Sequence, residues 1–235
     1  MNLRPRHALA ALGTALALAA CGTATPPAPG AGPAAPAPLA RAAADAVPFA
    51  IDAEASRLRF IVRRAGTLAR LGHNHVILAR RIDGQILRAP DITRSTVSLR
   101  LPVAHFEVDP PAERAALGVG FEPLPAQAVL ATRRNLLGPR VLDATRHPEV
   151  RIDTVAVAGP AAAPRLTLRI ALRGVARDIT VPVRLLQAGP ALQVEADFEL
   201  RQSDFDIAPL SVLGGALQVA DPVTVQVRLV ARPGP

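Results

Sequence analysis

Residues 165–200 read RLTLRIALRGVARDITVPVRLLQAGPALQVEADFEL, and their periodicity decides the fold. Leu166, Leu168, Ile170 and Leu172 point one way, while Thr167, Arg169, Ala171 and Arg173 point the other. Ile179, Val181, Val183 and Leu185 repeat the pattern. Leu192, Val194, Ala196, Phe198 and Leu200 follow, opposed by Gln193, Glu195, Asp197, Glu199 and Arg201. Alternation with one dry and one wet face marks antiparallel strands. Short connections separate the runs, at Arg173–Asp178 and at Ala188-Gly189-Pro190.

The same period extends outward in both directions. Leu58, Phe60 and Val62 alternate with Arg57, Arg59 and Ile61, and Val97, Leu99 and Leu101 alternate with Ser98 and Arg100. Val223, Val225, Val227 and Leu229 form the last run. Asp83-Gly84 reads as a hairpin turn or bulge. No βαβ rhythm is visible, so the chain is predicted to be all-β, a sandwich or barrel. A barrel of about eight strands holds one small ligand rather than a channel. Its inward faces would make that ligand apolar. One segment breaks the pattern. Ala126–Leu137 reads as a short helix with Ala126, Val129, Leu130 and Leu137 buried, Arg133 and Arg134 at its edge, and Gly138-Pro139 as its stop. Pro110–Pro125 reads as a loop, with one turn around Ala112–Leu117.

The amino terminus reads as an address. Arg4, Arg6 and His7 precede an uncharged run, Ala8–Ala20, too short to span a bilayer and suited to a signal peptide. Leu18-Ala19-Ala20-Cys21-Gly22 resembles a bacterial lipoprotein box, in which Cys21 is acylated. The expected division is a signal peptide at 1–20, lipidated Cys21 with a Pro/Ala-rich tether through 47, and one domain at 48–232. Several acyl chains anchor stably where one does not. Cys21 is the sole cysteine, so with it acylated neither a disulfide nor thiolate catalysis is available. Gly22 stands where an inner-membrane retention signal of such lipoproteins usually has Asp, and that resemblance implies the outer membrane, facing the periplasm.

The chain has 235 residues and a formal charge of +8, and all of its 27 basic side chains are Arg. Cleavage after Ala20 would remove Arg4 and Arg6 and no acid. Six Phe with no Tyr or Trp exclude the stacking platforms that single-stranded nucleic acid requires, and no nucleic-acid partner is expected. The same scarcity leaves any pocket lined by aliphatic groups and a few Phe.

Gly72-His73-Asn74-His75 is the one cluster with chemical potential. In a strand His73 and His75 share a side. They suit a shared metal, a polar closure of the pocket, or a structural turn in which Gly72 and Asn74 take positive φ. Two ligands do not complete a zinc site. Arg133-Arg134-Asn135 suits an anionic head group or a solvated helix edge. No GxSxG elbow, P-loop, GxGxxG, HExxH or CxxC occurs. No enzyme activity and no cofactor are expected.

The order of these features is similar to that of the YceI-like family of periplasmic, lipocalin-like proteins. The carrying pieces are Phe49-Ala50-Ile51-Asp52 through Ser56-Arg57-Leu58-Arg59-Phe60, the Gly-His-Asn-His form of GTLARLGHNH (66–75), and His147-Pro148-Glu149-Val150. Leu172-Arg173-Gly174-Val175 with Asp178-Ile179-Thr180-Val181-Pro182-Val183 follows, then Gln202–Ile207 and Val219-Ala220-Asp221-Pro222-Val223. Departures are Ile152 where the family often has Phe, and Asp206 where it usually has Gly. The resemblance implies an extended antiparallel lipocalin-like β-barrel with one short helix, sequestering a polyisoprenoid or quinone-like lipid. The expected pocket residues are His73, Asn74, His75, Arg134, Phe60 and Phe198. The alternatives are a metal-binding lipoprotein using His73 and His75, and a structural envelope lipoprotein with a filled core.

Overall fold

Leu166, Leu168, Ile170 and Leu172 all face one interior space, and so do Leu192, Val194, Ala196, Phe198 and Leu200. They share it with Leu58, Phe60 and Val62, with Val97, Leu99 and Leu101, and with Val223, Val225, Val227 and Leu229. These contacts come from a computed structural model, which describes residues 36–234. Residues 1–20, Cys21 and the tether as far as residue 35 lie outside the described residues.

The domain is an antiparallel sheet of thirteen strands rolled around that interior. Its first strands are β1 (Val47–Ile51), β2 (Arg57–Ala65), β3 (His75–Ala79), β4 (Asp83–Arg88), β5 (Thr96–Pro102) and β6 (Phe106–Val108). After two helices come β7 (Glu149–Ala158), β8 (Arg165–Leu172), β9 (Val175–Pro182), β10 (Arg184–Ala188), β11 (Ala191–Arg201), β12 (Ser211–Val212) and β13 (Leu217–Pro233). The main ladder runs β6-β3-β2-β13-β1-β4-β5-β7-β8-β9. β13 pairs with β11 along its other edge, and β11 pairs with β10.

No ladder joins β9 to β11. The circuit is completed by the chain itself, because β9 and β10 form one run that turns at Pro182-Val183. Before the turn it pairs with β8, and after it with β11. Pro182 has no N–H to donate, and the Val183 N–H goes instead to the Pro164 carbonyl at 3.0 Å. Pro222 plays a similar part in β13. It faces Arg201 of β11, and the register with β2 shifts between Val219 and Val223.

The turns differ in part from the sequence reading. Arg173 and Gly174 form a two-residue hairpin with φ of 52° and 79°, the left-handed pair that suits twisted strands. Asp83-Gly84 is not a hairpin turn: both residues lie inside β4, and Arg80–Ile82 makes the connection. Gly84 has φ 151°, and a Cβ there would stand 2.2 Å from the Ser98 carbonyl oxygen of β5.

There are two helices where one was expected. α1 (Pro111–Leu117) begins with Pro at its first turn and ends at Gly118, whose φ is 71°. It packs outside the barrel, over the faces of β2 and β3 that point away from the interior. Ile61, Val76 and Leu78 are buried there, which is why this stretch of barrel is apolar on both faces. Glu113 of α1 is buried and paired with Arg57 at 3.2 Å and Arg59 at 3.1 Å. α2 (Ala126–Leu137) rests on the core through Val129, Leu136 and Leu137. Ala126 and Leu130, expected inside, are exposed with Arg134 at i, i+4 and i+8. Arg173 holds the end of α2 in place, donating to the carbonyls of Pro139 (3.1 Å) and Asp206 (2.9 Å).

The described part of the expected tether lies against the domain. Ala40 N–H donates to the Thr154 carbonyl, Ala43 N–H to the Arg94 carbonyl, and Arg169 to the Ala37 carbonyl. Ala43 is buried.

Gly84→Ala is expected to lose about 1–3 kcal/mol from backbone strain, with the contact to Ser98 adding to it. Gly189→Ala has φ 59° and open space around the new methyl. It should cost less. Urea unfolding of both variants checks the order.

Candidate functional site

The interior holds a cavity of about 210 Å³. A close-packed core leaves few voids larger than one water. This one equals roughly seven times the liquid volume of a water. Its wall is built from the inward positions of β2, β5, β8, β11 and β13, closed by Leu136 of α2 and by Phe205 and Ile207. Each strand contributes every second residue, so alternation in sequence becomes a continuous hydrocarbon lining in space.

Few polar groups reach the cavity: Arg88, Ser95, Thr96 and Thr154 on one side of its length, and Arg201 and Gln202 on the other. At the end nearest Pro233, Ser95 Oγ accepts from Ala89 N–H at 3.0 Å. Thr154 Oγ1 accepts from Val97 N–H at 2.8 Å and donates to the Val97 carbonyl at 3.1 Å. At the end nearest Leu217, Gln202 Nε2 donates to the Ala220 carbonyl at 2.8 Å. Among the described residues the one buried side-chain nitrogen or oxygen without a partner is Arg173 Nε, which does not line the cavity. The cavity therefore recognises by shape and apolar contact, with no nucleophile and base converging on it.

Phe60 and Phe198 lie in this wall. They flank Val225 across the register of β2, β13 and β11. Phe60 also packs against Phe106, with ring centroids 5.6 Å apart and the rings tilted by 41°. Phe106 and Phe205 line the cavity too, and the sequence reading missed both. Phe106 sits on a three-residue strand and Phe205 in a 3-10 turn, so neither belongs to a period-two run long enough to read.

His73, Asn74, His75 and Arg134 are not among the lining residues. Asn74 is a stitch between loops: its Oδ1 accepts from Arg64 N–H at 3.1 Å and its Nδ2 donates to the Gly120 carbonyl at 3.0 Å. Neither Gly72 nor Asn74 has positive φ. His75 opens β3, and its Nδ1 lies 2.7 Å from Asp109 Oδ2. Asp109 Oδ1 accepts from Val76 N–H at 3.0 Å and from Arg114 at 2.6 Å. Arg114 donates further to the carbonyls of Asn74 and Glu122 and lies over the Phe121 ring. Burial works to raise the Asp109 pKa. The hydrogen bond and charge of His75, with Val76 N–H and Arg114, outweigh it and hold the carboxyl below its ordinary value. Asp109 is therefore a carboxylate, and His75 Nδ1 carries the shared hydrogen.

The two imidazole centroids are 6.3 Å apart. Among the described residues no group of three His, Cys, Asp or Glu side chains is placed to hold a metal. Arg134 is exposed on α2, away from the lining. Its neighbour Arg133 donates to the Ala104 carbonyl at 2.8 Å.

A family model described as the YceI-like domain matches residues 49–231. The chain belongs to the YceI-like family. Solved structures of similar fold agree with the architecture. BcnA of Burkholderia cenocepacia aligns with TM-score 0.58 at 16% identity, over 77% of this chain and 98% of that one. A polyisoprenoid binding domain from Saccharophagus degradans aligns with TM-score 0.53 at 12% identity, over 80% and 99%. The YCEI protein of Campylobacter jejuni aligns with TM-score 0.51 at 11% identity, over 68% and 85%. No curated protein matches the chain.

Asp109→Asn leaves the buried Arg114 without its carboxylate and is expected to cost about 3–5 kcal/mol near neutral pH. The Asp109 pKa is lowered on folding, so its contribution is present above the unfolded value and fades as pH falls through the folded one. The difference between wild type and Asp109→Asn should therefore shrink below about pH 4. Urea unfolding from neutral to acid pH measures it.

Proposed function

We propose that this YceI-like domain is a non-enzymatic lipid-binding module that sequesters the hydrocarbon chain of an isoprenoid or quinone-like lipid. Its site is the bacterial cell envelope, facing the periplasm, where an acylated Cys21 anchors it to the outer membrane. The observation that carries the reading is the cavity of about 210 Å³, walled by aliphatic and Phe side chains. A barrel serving as a solid structural core would fill that space with its own side chains. Likeness in fold to the polyisoprenoid binding domain of Saccharophagus degradans supports the ligand class.

The energetics suit a branched hydrocarbon. Burial gains about 0.8 kcal/mol per CH₂, so each five-carbon unit contributes roughly 4 kcal/mol before ordering costs. The polar lining groups stand at strand ends, Arg88 and Thr96 towards one end and Arg201 and Gln202 towards the other, which leaves the head at an opening and the chain inside. With no Tyr or Trp in the sequence, a planar aromatic ligand has only the edges and faces of Phe to stack on.

Native mass spectrometry of protein purified from membranes is expected to show an apolar lipid adduct. Ala196 lines the cavity, and Ala196→Trp should abolish the adduct by filling the space while the melting profile stays cooperative. A wild-type barrel that carries no lipid, or a filled one that still carries it, overturns the reading.

The anchor has its own check. Cys21→Ser should abolish incorporation of labelled palmitate and shift the protein from the membrane to the soluble fraction. Unchanged incorporation means that the acyl chain is not on Cys21.

A further inference from the structure

Three loops meet at the Leu217 end of the barrel, and they expose large apolar side chains to water. The β12–β13 hairpin presents Val212 at 56% exposure and Leu213 at 66%. The β2–β3 connection presents Leu71 at 56%, and the loop after α1 presents Val119 at 99%. The loops are joined to one another. Leu68 N–H donates to the Ala216 carbonyl at 2.7 Å, and Asn74 Nδ2 donates to the Gly120 carbonyl. Soluble domains scatter single exposed apolar residues, but a group on adjoining loops marks a contact surface.

The backbone at this end is also unusual. Leu213, Gly214 and Gly215 have φ of 53°, 63° and 95°. Glycine takes such angles freely, whereas a bulky residue does so at a cost. Leu213 bears that cost in a position where its side chain gains no burial within the domain. The strain is recovered only if something outside the domain covers it.

The charges around the patch select what covers it. Arg63, Arg64 and Arg70 are exposed on the β2–β3 connection and its flank. From Arg57 to Ile82 there is no Asp or Glu, nor is there one from Ile207 to Ala220. Apolar tips ringed by Arg match a surface of hydrocarbon beneath negative head groups, and the acid on these loops, Glu122, lies beside Arg64 and Arg114. We propose that the Leu217 end docks on an anionic phospholipid bilayer, with Leu71, Val212 and Leu213 entering the interface and Arg63, Arg64 and Arg70 meeting the head groups. This contact is separate from any acyl anchor and sets which end of the barrel faces the membrane. β2 and β13 run from the patch directly into the cavity wall, through Val62 and Val223.

The chain contains no Trp or Tyr, so one introduced Trp reports its surroundings without background. Leu213→Trp and Leu71→Trp place the probe in the patch. Leu186→Trp places it on exposed β10 near the other end, about 40 Å away along β13. The full chain is reconstituted on vesicles of phosphatidylethanolamine with brominated phosphatidylglycerol, and on vesicles of brominated phosphatidylcholine. On the anionic vesicles, emission from positions 213 and 71 should shift to the blue and be quenched by bromine. Position 186 should do neither, although an anchored chain brings all three to the membrane. In the Arg63→Gln/Arg64→Gln/Arg70→Gln background, quenching at 213 should fall at least about threefold. Equal quenching at 186 and 213 overturns the proposal, as does equal quenching on the two lipids. A blue shift at 213 that grows with protein concentration without vesicles also overturns it, because the patch then binds a second copy of the chain. Leu71→Trp reads the same surface from a different loop, so the test stands even if Leu213→Trp fails to fold. A barrel without bound lipid would leave this result unaffected.

Discussion

Everything in the domain depends on β13 carrying ladders on both edges. One edge pairs with β11 from Pro222 to Ala231, and the other pairs first with β2 and then with β1. A strand of 17 residues bonded on both sides cannot slip, because a shift of one residue would turn Val223, Val225, Val227 and Leu229 outward. Its register therefore fixes the wall, and the wall fixes the cavity. The irregular step at Pro222 lies near the Leu217 end, so it bends the strand without breaking the apolar row below it.

Where ladder bonding does not close the circuit, covalent continuity does. β9 and β10 are one stretch of chain, and Pro182-Val183 is the corner at which it changes partner. Beyond that corner the inner edges of β9 and β11 run side by side without a ladder between them. Phe205 and the turn around it pack beside this seam, and Arg173 ties the turn to the β8–β9 hairpin. The barrel's apolar content is thus held partly by sheet and partly by side chains standing where a sheet would be.

The barrel strands were legible because each had one dry face. Leu58, Phe60 and Val62, the runs at 166–172 and 192–200, and Val223–Leu229 all became cavity wall. The outer layer was not legible, for a physical reason. Ile61, Val76 and Leu78 are buried under α1, so β2 and β3 lose strict alternation just where a second layer covers them. α1 itself is short, rich in Ala and begun by Pro, and its fixed points are Glu113 and Arg114. Both contact partners distant in sequence. A polar side chain buried by such partners carries no local signal. Asp109 is the clearest case: its left-handed backbone and three hydrogen-bond partners belong to the folded state alone. The α2 face was misread because Leu130 is apolar yet exposed, and nothing in the local sequence separates a buried leucine from an uncovered one.

This division explains why Asn74 and His75 are tied into the fold while the featureless aliphatic strands are the candidate site. Asp109 and Arg114 are fully engaged with Asn74, His75 and the backbone. A buried pair of charges holds together only when its remaining bonds are met, so the network leaves little capacity for a ligand. What it does instead is fix the start of β3 and the loop after α1 against β2. Those segments set the geometry of the Leu217 end, including the position of Leu71 and the acid-free run of arginines. The polar network outside the barrel and the dry space within it therefore act through the same two strands. β2 and β3 present one face to a hydrocarbon-lined cavity and the other to a small buried layer that keeps them in register.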